Sequence, residues 1–221
     1  MEKSKSNVYS DPLRRANAAI FIECTYALIE SEGFDRLSIR KIADKAGFHN
    51  STIYLYFRDA DELIFLACVK YFEEYASGYG NLRSAELPPM ERYYKIMRLF
   101  CEKTFSNPLV FWHIFFGKYS ADLTDMFNLY YEIYPEKRES AAEAHQVMYF
   151  GKNITERCLR ILTPLRDIQG SRVTKENLEQ VNRLIVCGFK AMLEEACNAE
   201  TVDVAAQTEY QLQMLHFLID A

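Results

Sequence analysis

Apolar residues recur every three or four positions along almost the whole chain. From Leu13 they fall at Ala16, Ile20, Cys24, Ala27 and Leu28, the stripe of one amphipathic helix. Asp11-Pro12 offers that helix a cap and a pre-set first turn, and Gly33 a stop. Ser38 is placed to cap a short helix carrying Ile39, Ile42, Ala43 and Ala46 and closed by Gly47; a second short helix carries Ile53, Tyr54 and Phe57. Asp59, with Glu62 three residues on, opens a longer helix. It is expected to end near Ala76, where Ser77-Gly78-Tyr79-Gly80 interrupts the pattern.

Further helices are expected from Leu87-Pro88-Pro89 through Phe105 and from Asn107-Pro108 onward. Pro135 divides a Tyr/Phe-rich helix from a long one striped by Ala141, Ala144, Met148, Ile154, Cys158 and Ile161, which Pro164 ends. Two last helices span about Lys175 to Asn198 and Val202 to Asp220. No run alternates like a strand between hairpin turns. The pattern predicts an all-α protein with about nine helices.

Composition adds exclusions. At 221 residues the chain can bury roughly 70% of its unfolded surface, so its stability requires neither disulfides nor metals. The longest apolar stretch, Leu109 to Phe116, is interrupted by His113 and is too short for a bilayer. The opening MEKSKSNVYSDPLRR has no apolar core of a secretory signal, so the expectation is a soluble cytoplasmic protein. The six cysteines form no CxxC pair and the four histidines no metal spacing, which predicts reduced thiols, no metal and no cofactor.

Charge is uneven. Residues 1–60 hold nine Lys/Arg against eight Asp/Glu, while the remainder holds 17 against 23. An acidic body repels nucleic acid, so any DNA-binding surface is confined to the N-terminal part.

The segment from Ser38 to Phe57 fits such a surface. Two short helices meet at Gly47, and Ala43 permits their close approach, as in a helix-turn-helix. Ile39, Ile42, Ile53 and Phe57 supply a buried side. His49, Asn50, Ser51, Thr52, Tyr54, Leu55 and Tyr56 are left to face outward. Hydroxyls, an amide and tyrosines suit phosphate and base-edge contacts better than an ordinary solvated face does. A plain helical hairpin shares the spacing.

This stretch closely resembles the TetR family of bacterial transcriptional regulators. The matching positions are Gly33, Ser38, Ile42-Ala43, Ala46-Gly47, Thr52-Ile53-Tyr54, Tyr56-Phe57 and Glu62-Leu63, and the match covers about residues 13–66. The resemblance implies that Asn50 and Ser51 read base edges in the major groove, with Leu55 against a thymine methyl. It places Ser38, Thr52, Tyr54 and Tyr56 at phosphates, with Arg40, Lys41 and the Lys3/Lys5 arm as nearby cations. Three positions depart from the family pattern. Ala60 stands where a backbone-contacting lysine is common, His49 replaces a small hydroxyl, and Ser51 replaces a glycine or small residue.

The resemblance divides the chain into a DNA-binding domain over 1–58 and a helical effector-binding and dimerisation domain over 59–221. Residues 111–134 hold nine aromatics, enough to wall a pocket for a small hydrophobic or aromatic molecule. Phe111, Trp112, His113, Phe116 and Phe127 are candidates there, with Tyr130, Tyr131, Gln146 and Tyr149. A packed core is the plainer reading of the same residues. For a homodimer interface the candidates are Val181, Ile185, Gly188, Phe189 and Met192, with Gln211, Leu215 and Leu218 from the last helix.

The expected function is a dimeric regulator, most simply a repressor, that binds a palindromic duplex and is released by a small effector. No GxGxxG, P-loop, GxSxG or metal spacing is present, so no catalytic residue is assigned. The competing reading is a helical small-molecule-binding protein or enzyme whose helix-turn-helix no longer binds DNA.

Overall fold

The computed structural model describes residues 9–140 and 151–221. Among them are eleven α-helices, no strand and a single isolated bridge between Ser171 and Asp220. The first three helices are α1 (Pro12–Glu32), α2 (Ile39–Ala46) and α3 (Ile53–Tyr56), the last preceded by a 3-10 turn at Asn50–Thr52. Then follow α4 (Ala60–Ser84), α5 (Pro89–Ser106), α6 (Pro108–Phe116), α7 (Leu123–Ile133) and α8 (Pro135–Ser140). The chain closes with α9 (Ile154–Leu162), α10 (Leu178–Asn198) and α11 (Val204–Ile219).

Side-chain caps set most of the starts. Asp11, Asp59, Asp122, Asn153 and Asp203 each accept a hydrogen bond from a backbone N–H in the first turn of the helix that follows. Pro12, Pro89 and Pro108 pre-set the first turns of α1, α5 and α6. Glu62 completes a variant of the capping box: its carboxylate accepts from the Arg58 amide and from Arg58 Nε, each at 2.5 Å, one residue outside the usual position.

Helix α4 is the spine. Leu63, Phe65, Leu66, Ala67, Cys68, Val69, Phe72 and Ala76 are completely buried, so it is apolar on nearly every side. It packs against α1 on one flank and against α5, α6 and α7 on the others. Helix α11 lies along α5, and α10 lies between α9 and α6. All six cysteines are free. No helix among the described residues is long and apolar enough to cross a membrane.

Three expected boundaries change. Helix α4 continues to Ser84 instead of breaking near Ala76. A β-carbon on Gly78 would stand 2.8 Å from Leu99 Cδ2 of α5, so this glycine serves close packing within the helix. The Tyr/Phe-rich segment is two helices, parted at Gly117–Asp122. The long helix expected after Pro135 is interrupted, because Asn153 caps a new helix at Ile154; Ala141, Ala144 and Met148 of its stripe lie outside the described residues.

Candidate DNA-binding surface and effector cavity

The helix-turn-helix is built as its residue types require. Ser38 Oγ accepts from the Lys41 amide at 3.3 Å and caps α2. Gly47 closes α2 in the left-handed region, at φ 77° and ψ 27°, with its N–H directed at the Ala43 and Asp44 carbonyls. Phe48 N–H then donates to Ala43 O at 3.0 Å, completing the reversal. Ile42, Ala43, Ile53 and Phe57 are buried beneath the motif, and Phe21 of α1 packs its ring 4.9 Å from that of Phe48.

Most of the expected recognition residues face solvent. Arg40, Lys41, His49, Asn50 and Ser51 are exposed, as are Tyr54 at 57% and Leu55 at 64%. Ser38 is also exposed; its oxygen accepts the capping bond while its proton stays available to an acceptor such as phosphate. His49 caps the turn, accepting through Nδ1 from the Ser51 amide at 3.3 Å, with Ser51 Oγ at 2.8 Å. That role places the ring proton on Nε2, directed away from the turn.

Two of the ten positions, Thr52 and Tyr56, are not exposed. Thr52 is half-buried. The Tyr56 hydroxyl accepts from Asn17 Nδ2 at 2.9 Å, its carbonyl accepts from the Tyr9 hydroxyl at 2.6 Å, and its ring lies 5.7 Å from Phe21. Tyr56 therefore ties α3 to α1. Of the two cations, Arg40 makes only a loose exposed pair with Asp44 at 3.8 Å, while Lys41 binds Glu32 at 2.6 Å. A pair as exposed as the first is held weakly, so Arg40 is the more readily redirected.

A polar junction joins this head to the helical body. Asp59, the α4 cap, also accepts from Lys118 Nζ at 2.7 Å and from the Tyr119 hydroxyl at 2.8 Å. Burial alone would raise the Asp59 carboxyl; the hydrogen bonds from Lys118, the Glu62 amide and Tyr119 outweigh it and bring it to about 2. Arg58 lies over the Tyr119 ring at 4.7 Å and reaches Met126 Sδ at 3.5 Å. Farther along, Glu23 of α1 binds Lys70 of α4 and accepts from the Tyr134 hydroxyl at 2.9 Å. Apart from Asp59 and Glu62, which the capping pattern marks, none of these groups belongs to a motif; the junction forms only once α6 and α7 pack against α4.

Inside the body is a cavity of about 40 Å³. Its described walls are Phe72 and Tyr75 of α4, Met97 and Phe100 of α5, Phe115 of α6, four residues of α9 (Ile154, Arg157, Cys158 and Ile161), and Ile185, Val186 and Phe189 of α10. The expected effector residues stand elsewhere. Phe111 stacks behind Phe115 at 6.0 Å, and Trp112 and Phe116 lie beside Lys190. His113 Nε2 meets the Asp61 carbonyl at 3.2 Å and its ring lies against Phe34; burial lowers its pKa, so it bridges α6 to α4 as a neutral side chain. Tyr130 donates to Glu73 at 3.0 Å beside Tyr131, and Phe127 lies beneath the Arg157 guanidinium. Gln146 and Tyr149 lie outside the described residues. Phe111, Phe127, Tyr130 and Tyr131 are thus buried in core, Trp112, His113 and Phe116 are half-buried, and Phe115 of α6 shares the cavity with faces of α4, α5, α9 and α10.

The expected dimer stripe also turns inward. Val181, Ile185, Phe189, Met192, Gln211 and Leu215 are all buried within the protomer, and Leu218 is half-buried. A β-carbon on Gly188 would lie 2.6 Å from Met214 Sδ, so this glycine admits α11 of its own chain. The large exposed apolar side chains of α10 and α11 are Leu184 at 55%, Tyr210 at 64% and Phe217 at 76%. A wide stripe on a helix has two edges, and periodicity alone does not say which one meets the core.

A capped helix-turn-helix is thus joined through the long helix α4 to an all-helical body. Residues 21–67 match the sequence model of the bacterial regulatory proteins of the tetR family. No curated protein matches the chain in sequence. Among solved structures, Thermus thermophilus FadR, a TetR family transcriptional repressor in complex with lauroyl-CoA, shares 17% identity and a TM-score of 0.55 over 90% of this chain and 92% of that one. A TetR transcriptional regulator from Rhodococcus sp. RHA1 shares 16% identity and a TM-score of 0.54, covering 93% of this chain and 97% of its own. SmeT, the repressor of the Stenotrophomonas maltophilia multidrug efflux pump SmeDEF, shares 12% identity and a TM-score of 0.50, over 98% and 93%. The likeness to the tetR family is thus in sequence over residues 21–67, and the fold over most of the chain's length is shared with these structures.

Proposed function

We propose that this chain is a repressor that binds a palindromic duplex as a homodimer and leaves it when a small apolar effector enters the helical body. The observation that carries the reading is the outward face of the helix-turn-helix. Asn50, Ser51, Tyr54 and Leu55 stand exposed there with Arg40 beside them, a set chosen for base edges and phosphates over plain solvation. Residues 1–58 form the reading head and residues 59–221 the controlling body. Leu184, Tyr210 and Phe217 offer the apolar face through which α10 and α11 pair with their symmetry mates, which supplies the two-fold symmetry of a palindrome.

Control would run through α4. Its buried face lines the cavity at Phe72 and Tyr75, and its capped start at Asp59 holds the head. An effector that widens the cavity moves α4 and changes the distance between the two recognition helices. It shifts the equilibrium only by its difference in affinity for the two states. The test is selection of bound duplexes from a random-sequence pool with the full-length protein. An enriched palindrome supports the reading; a folded protein that enriches no sequence overturns it.

A further inference from the structure

Two buried groups beside the cavity narrow the chemistry of the effector, an inference that rests on the reading above. Tyr93 of α5 is 2% exposed and Asn182 of α10 is 3% exposed. Neither the Tyr93 hydroxyl nor Asn182 Oδ1 has a hydrogen-bond partner among the described residues. Asn182 Nδ2 donates to the Thr155 carbonyl of α9 at 3.0 Å, which fixes the free end of this amide as an acceptor. Burial first, and then the nearby Cys158 of the cavity wall, raises the Tyr93 pKa well above the usual phenol value, so the hydroxyl keeps its proton. Thr208 and Gln211 also carry buried atoms without partners, but their helix α11 contributes no described wall.

Helix directions bring the two groups to one end of the cavity. Helix α5 is antiparallel to α11, because Arg98 pairs with Glu209 and Tyr94 with Asp220. Helix α10 joins α11 through a short connection and packs against it as a helical hairpin, so α5 and α10 run the same way. The rings of Phe100 and Phe189 lie 5.0 Å apart. Tyr93 and Asn182 each stand two helical turns before that pair, and one turn before the wall residues Met97 and Val186. The space is thus closed at one end by Phe100, Phe115 and Phe189, and flanked at the other by a hydroxyl and an amide oxygen.

An acceptor left unmet in an apolar wall costs free energy, and a guest that donates to it recovers that cost. An ether and a carboxylate have no proton to offer it. We propose that the effector is a neutral molecule with an apolar body and a hydroxyl head. Its O–H donates to Asn182 Oδ1, its oxygen accepts from the Tyr93 hydroxyl, and its body lies among Phe100, Phe115, Ile185 and Phe189.

The test is calorimetric titration of the full-length protein with heptan-1-ol, its isomer 1-methoxyhexane, and heptanoate. The isomers contain the same atoms, and only the alcohol has a proton to donate. Heptan-1-ol binds about tenfold more tightly than 1-methoxyhexane and more tightly than heptanoate. Asn182→Leu removes the preference for the alcohol over the ether. Tyr93→Phe weakens both isomers alike, by about fivefold, and keeps the fold because its hydroxyl has no partner to lose. The wild-type comparison stands even where the Asn182 variant does not fold. Equal affinity for the isomers, or a preference that survives Asn182→Leu, overturns the head assignment while leaving the cavity as the effector site. Tighter binding of heptanoate than of the alcohol overturns the neutral head. Preference for the alcohol with no change in affinity for the selected duplex upholds the head assignment and overturns effector control. Binding of none of the three overturns both.

Discussion

Lys118, in the turn after α6, donates to Asp59 at 2.7 Å, and Asp59 is the residue that caps α4. One carboxylate thereby starts the central helix and fastens the reading head to the body. Its folded pKa of about 2 lies below the ordinary 3.8, so its contribution to stability is present above pH 3.8 and is lost as the pH falls through 2. Asp59→Asn keeps the cap and removes this acid-dependent component. Asp59→Ala loses the cap as well, at a cost of about 1 kcal/mol. Urea unfolding of the three proteins between neutral and acid pH separates the two effects.

At the recognition surface, Asn50→Ala should weaken binding to the selected duplex by about 1–3 kcal/mol and leave non-specific binding unchanged. Competition between the selected duplex and one altered at a single base pair checks this. Loss of affinity for both duplexes alike would remove Asn50 from base reading.

Arg40→Ala should act differently, weakening all duplexes equally. If its guanidinium swings from Asp44 to a phosphate, the slope of log affinity against log salt falls by about 0.9. A salt titration of wild type and variant reads it directly, and an unchanged slope shows that Arg40 stays in solvent.

Gly47→Ala tests the turn itself. No atom outside its immediate neighbours lies within 4 Å of the added β-carbon, so the cost is purely that of a left-handed backbone, about 1 kcal/mol. Thermal unfolding gives the value, and a neutral substitution would refute this account of the turn.

Leu184→Glu together with Phe217→Glu should give a folded monomer that no longer holds the selected palindrome at concentrations where the wild type does. Both side chains are exposed in the protomer, so the fold loses little. Sedimentation at micromolar concentration distinguishes the outcomes. A variant that stays dimeric moves the interface elsewhere.

The sequence was most informative where a single residue type forces a local geometry. Asp11, Ser38, Gly47 and Asp59 mark the boundaries of the reading head because each provides a cap or a φ that its neighbours cannot. It was least informative where the choice between faces depends on packing. Val181, Ile185 and Phe189 form a stripe as clear as any, yet the stripe faces their own core, and Leu184 on the other edge is what remains outside. Arg157 leaves a trace in the sequence too: it interrupts the apolar pattern of Ile154, Cys158 and Ile161. A charge on the buried side of an amphipathic helix is the signal by which this wall could have been found.

The small size of the cavity has a consequence for time as well as affinity. About 40 Å³ holds some three water molecules, far less than any organic guest. An organic guest bound there would displace the walls formed by α9 and α10, and the observed binding rate of such a guest should then level off as it is added in excess. That plateau is the opening rate of the protein itself. On the proposed function, it would set a fixed delay between the arrival of a signal and the release of DNA, however much of the signal is present.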